Sequence, residues 1–219
     1  MISVVVPTNN SERLLPRCFD SLIAGAVRGV VREVIVSDAV STDGTLVIVD
    51  AAGAHVVQAR NNRSEQLTKA AAVAKSDWLL FLHPETALEA GWEVEAESFI
   101  SQAVMERPRA AVFRFALEDF GGEARRAEVK ANLRSALFAL PYGDQGLLIP
   151  KRLYQKLGGY RALADMEDAD LVRRIGRRRL VILRSRAINI ARPQKGVLRG
   201  LALALLHTLR VPSRLLTNL

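Results

Sequence analysis

The sequence predicts an α/β fold: a mostly parallel sheet with helices on both faces, followed by a basic and apolar helical extension. Three observations lead there. Short β-branched runs alternate with helical-period segments three times within the first 82 residues, which is the pattern of βαβ units. Three of the runs stop abruptly at polar residues, at Pro7-Thr8-Asn9-Asn10, Ser37-Asp38 and His83-Pro84-Glu85. Buried parallel strands deliver polar side chains to one sheet edge in this way, so the three exits should converge on one crevice. An apolar share of 49% with 25% charged residues describes a chain that buries a core rather than a disordered one.

The elements follow in order. "ISVVVPT" is a strand closed by Pro7. "SERLLPRCFDSLIAG" has apolar residues at helical spacing, with Pro16 acceptable only in the first turns and Gly25 as a stop. "VREVIVSD" is a second buried strand. "STDGTLVIVDAAG" places cap residues ahead of a helix ending at Gly53. "AHVVQA" is a third strand, "SEQLTKAAAVAKS" an alanine-rich helix and "DWLLFL" a fourth strand. Beyond it, "ALEAGWEVEAESFISQAVME" reads as a helix, "AAVFRFALE" as a strand, "FGGE" as a turn and "ARRAEVKANLRSALFAL" as a helix. "PYGDQGLLIP" is a polar turn into a strand, and "KRLYQKLGGY" is a helix stopped by Gly158-Gly159. "MEDADLVRRIGRR" is a charged amphipathic helix, and "LVILRS" a last strand. Without a repeat or low-complexity linker, residues 1–195 read as one domain, with 196–219 as the extension.

Charge is unevenly placed. Residues 171–219 carry 12 Lys+Arg and no Asp or Glu; residues 1–170 carry 19 Lys+Arg against 23 Asp+Glu, and −4 + 12 gives the net +8. Such a basic block suits an anionic partner, a lipid surface or a nucleic acid, although no nucleic-acid motif and no interleaved aromatics accompany it. The single cysteine, Cys18, excludes an internal disulfide and a cysteine-rich zinc site, and its helical context makes it a buried hydrophobe. "MISVVVPT" lacks the basic start of a signal peptide, and no stretch reaches the ~20 apolar residues of a membrane span, so a cytoplasmic protein is expected.

The landmarks "SVVVPTNN", "EVIVSDAVSTDGT", "LLFLHPET", "PYGDQGLLIP", "LGGY" and "MEDADLVRR" run in this order over nearly the whole chain. Together they resemble the family 2 glycosyltransferases, which have the GT-A fold and take sugars from nucleotide-diphosphate donors. The similarity is greatest to a bacterial subgroup with "FLHADT"-like and "PYGDQG" motifs. The resemblance implies a nucleotide-binding half over residues 1–85 and an acceptor half over 86–195. It assigns the nucleotide cradle to Pro7, Thr8 and Asn10, the base contact to Asp38, and the donor-facing helix to Arg63 and Gln66. The position of the family's Asp-x-Asp motif is held by His83 and Glu85, which would bind a divalent cation, Mn²⁺ or Mg²⁺, on the donor diphosphate. The family's Glu-Asp motif falls on Glu167 and Asp168, with Asp168 as catalytic base. Asp144 and Gln145 either contact the acceptor or cap their turn.

The chemistry wants these residue types. A hard cation shared with substrate phosphates needs few protein carboxylates and neutralises the leaving diphosphate, while a carboxylate across the sugar takes the acceptor hydroxyl's proton. The implied reaction is a single displacement with inversion. Four departures surround the site. Asn10 is followed by Ser11 rather than Glu; Ala39-Val40 replaces a glycine-rich turn; Thr68-Lys69-Ala70-Ala71 replaces Asn-Ala-Gly-Ala; and the metal acid is Glu85 behind Pro84. They motivate an alternative, a degenerate relative that binds a nucleotide or partner without catalysis. The extension "GVLRGLALALLHTLRVPSRLLTNL" is either a helix completing the core or an oligomer contact, or an interfacial helix held on anionic lipid by its arginines. The second choice goes with a lipid-linked acceptor at the inner membrane face.

Overall fold

The structure, a computed structural model, describes residues 1–60, 62–103, 107–118, six positions between 122 and 132, 143–163 and 166–190. The expected extension over 196–219, most of the helix expected over 124–140, and Pro141 and Tyr142 lie outside the described residues.

Among the described residues eight strands form one sheet. They are β1 (Ile2–Thr8), β2 (Val31–Asp38), β3 (His55–Gln58), β4 (Trp78–Phe81), β5 (Thr86–Leu88), β6 (Ala110–Leu117), β7 (Leu147–Pro150) and β8 (Leu180–Asn189), in the order β3-β2-β1-β4-β7-β6-β8-β5. Strands β1 to β4, β6 and β8 run one way, and only β7 and β5 run against them. The sheet is therefore mostly parallel, as the alternation predicts. β1 and β4 are buried along their whole length, which explains why they read as unbroken apolar runs.

The described helices are α1 (Leu15–Asp20), α2 (Ile23–Val27), α3 (Thr45–Ala51), α4 (Arg63–Val73), α5 (Trp92–Ser101), α6 (Lys151–Lys156) and α7 (Glu167–Ile175). They cover both faces. On one side Val4, Val6 and Leu80 pack with Leu15, Cys18, Val49 and Trp92; on the other Val5, Leu79 and Phe81 pack with Leu67, Ala70, Leu153 and Leu171. Alternate residues of one strand thus feed opposite cores. Cys18 is buried as expected, and burial pushes its thiol up to about 12, with the charge of Glu85 adding to the effect.

Two expectations are corrected. The helix expected over 11–25 starts only at Leu15, with Pro16 in its first turn, and then breaks into α1 and α2. At the break the Trp92 indole N–H donates to the Ser21 carbonyl at 2.8 Å, so the helix gives up a turn to a tertiary partner. The helix expected from Ala87 begins only at Trp92, because Thr86–Leu88 are extended and pair antiparallel with Ala187–Asn189 as β5. Gly91, at φ 88°, makes the turn between them.

Candidate active site

Because β1, β2 and β4 are parallel and in register, their carboxyl ends bring the loops after Thr8, Asp38 and Phe81 to one edge. Thr8 lies opposite Asp38, and its hydroxyl donates to Asp38 Oδ1 at 2.8 Å. The Ser41 hydroxyl donates to the same oxygen, and the Ser41 backbone N–H donates to Oδ2 at 2.8 Å. Asp38 is 1% exposed, so its carboxylate braces the loop from inside. Asn10 stitches the first loop to the second: its N–H donates to Ser41 Oγ and its Oδ1 accepts from the Thr42 N–H, both at 2.8 Å. Gln66, on α4, donates from Nε2 to the carbonyls of Thr8 and Ser37 at 2.8 and 2.6 Å, tying the ends of β1 and β2. Pro7 is buried in β1.

The Asn62 side chain caps α4 by accepting from the Glu65 N–H at 3.0 Å, and this fixes Arg63 in the first turn, three residues before Gln66. Arg63 reaches the residues after β4. Its Nη2 lies 2.6 Å from His83 Nδ1, and its Nε lies 3.4 Å from Glu167 Oε1. Two carboxylates flank the His83 ring: Glu85 Oε1 is 3.5 Å from Nδ1, and Asp168 Oδ2 is 3.6 Å from Nε2. Tyr160, gripped by Phe81 and Tyr154, donates its hydroxyl to Asp168 Oδ1 at 2.8 Å. Met166, at φ 65°, turns the chain sharply into α7 and presents Glu167 and Asp168 in the helix's first turn. The structure therefore brings Arg63, His83, Glu85, Glu167 and Asp168 into one cluster.

Three carboxylates and two cations in a half-buried space leave one surplus negative charge, and the proton affinities reflect it. Burial and the Arg63 charge push His83 down, but Asp168 and Glu85 outweigh them and raise it to about 9. Burial pushes Glu85 up, and the His83 contact outweighs this and brings it down to about 2. Asp168 behaves the same way: burial raises it, while His83, Arg63 and the Tyr160 hydroxyl lower it on balance. Glu167 goes up, from burial first and then from the Asp168 charge beside it. A protonated His83 turns an N–H toward each carboxylate, whereas a neutral ring accepts from Arg63 Nη2 through one nitrogen.

Glu85 is ionised, hard and 29% exposed at its side chain, so it fits a divalent cation, and His83 would join it by giving up its ring proton. Among the described residues no three His, Cys, Asp or Glu side chains are arranged to hold a metal ion, so substrate oxygens would have to complete its shell. Gln145 is 1% exposed and donates to the Phe113 carbonyl at 3.0 Å, while the Asp144 carbonyl accepts from the Thr86 hydroxyl at 3.3 Å. Sequence reasoning missed Tyr160 and Ser41. "LGGY" marked the first as a landmark, but nothing in its spacing revealed that it meets Asp168.

Residues 3–92 match the family model described as glycosyl transferase family 2. No curated protein matches the sequence. Among solved structures the fold is similar to that of S. aureus TarS 1-349, with a TM-score of 0.66 and 18% identity over 85% of this chain and 60% of that one. It is similar to glucosyl-3-phosphoglycerate synthase from Mycobacterium tuberculosis in complex with Mn²⁺ and UDP-glucose (TM-score 0.67, 20% identity, 97% of this chain and 80% of that one). It is also similar to the mannosyltransferase PcManGT from Pyrobaculum calidifontis in complex with GDP-mannose and Mn²⁺ (TM-score 0.68, 16% identity, 95% and 61%). The chain spans about three fifths of the TarS fragment and of PcManGT. At these identities the likeness is one of fold, and the fold is GT-A.

Proposed function

We propose that the chain is a nucleotide-sugar-dependent glycosyltransferase that transfers a sugar with inversion to a hydroxyl-bearing acceptor. The observation that carries this reading is the pair of ionised carboxylates, Glu85 and Asp168, held on opposite sides of His83 at the carboxyl edge of the sheet. The family match over the first 92 residues supports the donor half of the reading.

In this mechanism Glu85 would hold a divalent cation at the donor diphosphate. When bound, the cation neutralises charge on the departing diphosphate. Arg63 adds positive charge on the same side and lowers the energy of the developing phosphate charge. Asp168 stays ionised at neutral pH, with a side chain 19% exposed, so it can meet the acceptor. It takes the hydroxyl proton as the new glycosidic bond forms. Tyr160 fixes the orientation of its carboxylate. The acceptor is lipid-linked in this proposal, with the basic residues of 196–219 holding the enzyme at the cytoplasmic membrane face. Among the described residues no helix is long and apolar enough to cross a membrane.

The test is calorimetry with UDP, GDP, CDP and dTDP, each with and without Mn²⁺, on wild type, Glu85→Ala and Asp168→Asn. Metal-dependent binding of one nucleotide, lost in Glu85→Ala and kept in Asp168→Asn while turnover vanishes, is the expected result. Donor binding with undetectable turnover in wild type would favour the degenerate, binding-only relative. Unchanged turnover in Asp168→Asn would remove that residue as the base.

A further inference from the structure

The opposite edge of the sheet carries a feature that the transfer reaction does not use. β6 and β8 are parallel and begin in register, Ala110 beside Leu180. The residues just before them, Arg107 and Arg109 on one side and Arg178 and Arg179 on the other, are therefore brought together. β7 runs the other way, and its last residue, Pro150, pairs with Trp78 at the start of β4, so α6 adds Lys156 at the same edge. These five cations line a cleft of about 800 Å³ floored by the buried Leu153. The candidate active site lies past the far end of β4, so the two sites occupy opposite edges.

All five side chains are exposed, and within the described residues none of the five forms an ion pair. Among the described residues no acid lines the cleft. Like charges held side by side at neighbouring strand ends repel and cost stability unless an anion sits between them. Guanidinium groups suit phosphate oxygens because their planar forks donate in pairs. The volume falls in the range of small-ligand sites, roughly 300–1,000 Å³, and is larger than a single inorganic ion requires.

We propose that this cleft is a second anion site that binds a phosphate-bearing group of more than one negative charge. The proposal does not depend on the glycosyltransferase reading. Two sources share the chemistry, a soluble diphosphate and the headgroup of an anionic phospholipid, and the experiment separates them.

Full-length protein is titrated calorimetrically with inorganic pyrophosphate in the absence of divalent metal, and is sedimented with phosphatidylglycerol vesicles against phosphatidylcholine vesicles. Arg109→Ala/Arg179→Ala and, independently, Arg107→Gln/Arg178→Gln are compared with wild type and with Glu85→Ala. The expected result is binding to at least one probe, reduced tenfold or more in both double variants and kept in Glu85→Ala. Pyrophosphate binding identifies a soluble ligand; binding to phosphatidylglycerol vesicles alone identifies the lipid headgroup. The ligand-free double variants should unfold at the same or a higher temperature than wild type in low salt, since repulsion is relieved. Absence of binding to both probes would overturn the proposal, as would binding of undiminished affinity in the double variants.

Discussion

The Tyr160 hydroxyl donates to Asp168 Oδ1 while its ring stays packed against Phe81 and Tyr154, so Tyr160→Phe isolates one hydrogen bond. A hydrogen bond to an ionised carboxylate contributes roughly 1.5–3 kcal/mol, and its loss raises the proton affinity of Asp168. A base works above its own pKa. The acidic limb of the pH–rate profile should therefore move to higher pH in Tyr160→Phe, with donor affinity unchanged. A merely structural tyrosine would lower stability without moving that limb. A second single-residue prediction concerns Val40, a β-branched, 73% exposed residue at φ 57° where the resembling family has a glycine-rich turn. The left-handed conformation costs a branched residue roughly 1–2 kcal/mol, and glycine returns roughly 0.5–1 of that through backbone entropy. Val40→Gly should stabilise the fold by ~0.5–1 kcal/mol, read as a higher urea midpoint at constant slope. An unchanged or lower midpoint would mean that the loop depends on the valine side chain.

Gly25 shows how two elements compete over one position. It lies in α2, and a Cβ there would come within 2.9 Å of both the Trp92 ring of α5 and the Val31 side chain of β2. Helix propensity alone favours Gly25→Ala by up to about 1 kcal/mol, whereas overpacking a tight contact costs about 1–3. Packing wins this comparison, so the variant should lose ~1–2 kcal/mol in chemical denaturation despite being the better helix former. The same contest explains what the sequence did and did not disclose about the elements. β1, β2 and β4 were legible because a strand buried on both faces must be apolar throughout. β5 was not: its three residues become a strand only because Ala187–Asn189 lie beside them, and that partner is about a hundred positions away in the chain. The break between α1 and α2 was hidden for the same reason, since the group that takes the Ser21 carbonyl is Trp92.

At the scale of the whole molecule, the clustering of Arg63, His83, Glu85 and Asp168 followed from parallel strands ending at one edge, and that much was legible from motif order. The direction in which each side chain turns was not, because Asp38 and Gln66 spend their polar atoms on neighbouring loops that sequence cannot bring together. The same long-range bonds set the pH range of stability. Glu95 of α5 accepts from the Arg184 and Ser185 N–H groups and the Ser185 hydroxyl of β8, and Glu33 of β2 accepts from the Ser3 hydroxyl and the Lys75 N–H. Burial pushes both carboxyls up, but the donors outweigh it and hold both below the ordinary value of 4.5. Depressed carboxyls add stability that is present above 4.5 and is lost as pH falls through their folded values. His83, raised from 6.5 to about 9, adds stability that is present below 6.5 and is lost as pH rises through about 9. The unfolding temperature should therefore be highest between about pH 5 and 6.5 and decline on both sides. Glu95→Gln should flatten the acidic decline alone, whereas His83→Gln should flatten the alkaline decline and also part of the acidic one, because Glu85 and Asp168 lose the charge that depresses them. A thermal-unfolding series from pH 3 to 10 in which either variant kept the wild-type slope on its own side would show that the bonds assigned to that residue do not link stability to pH.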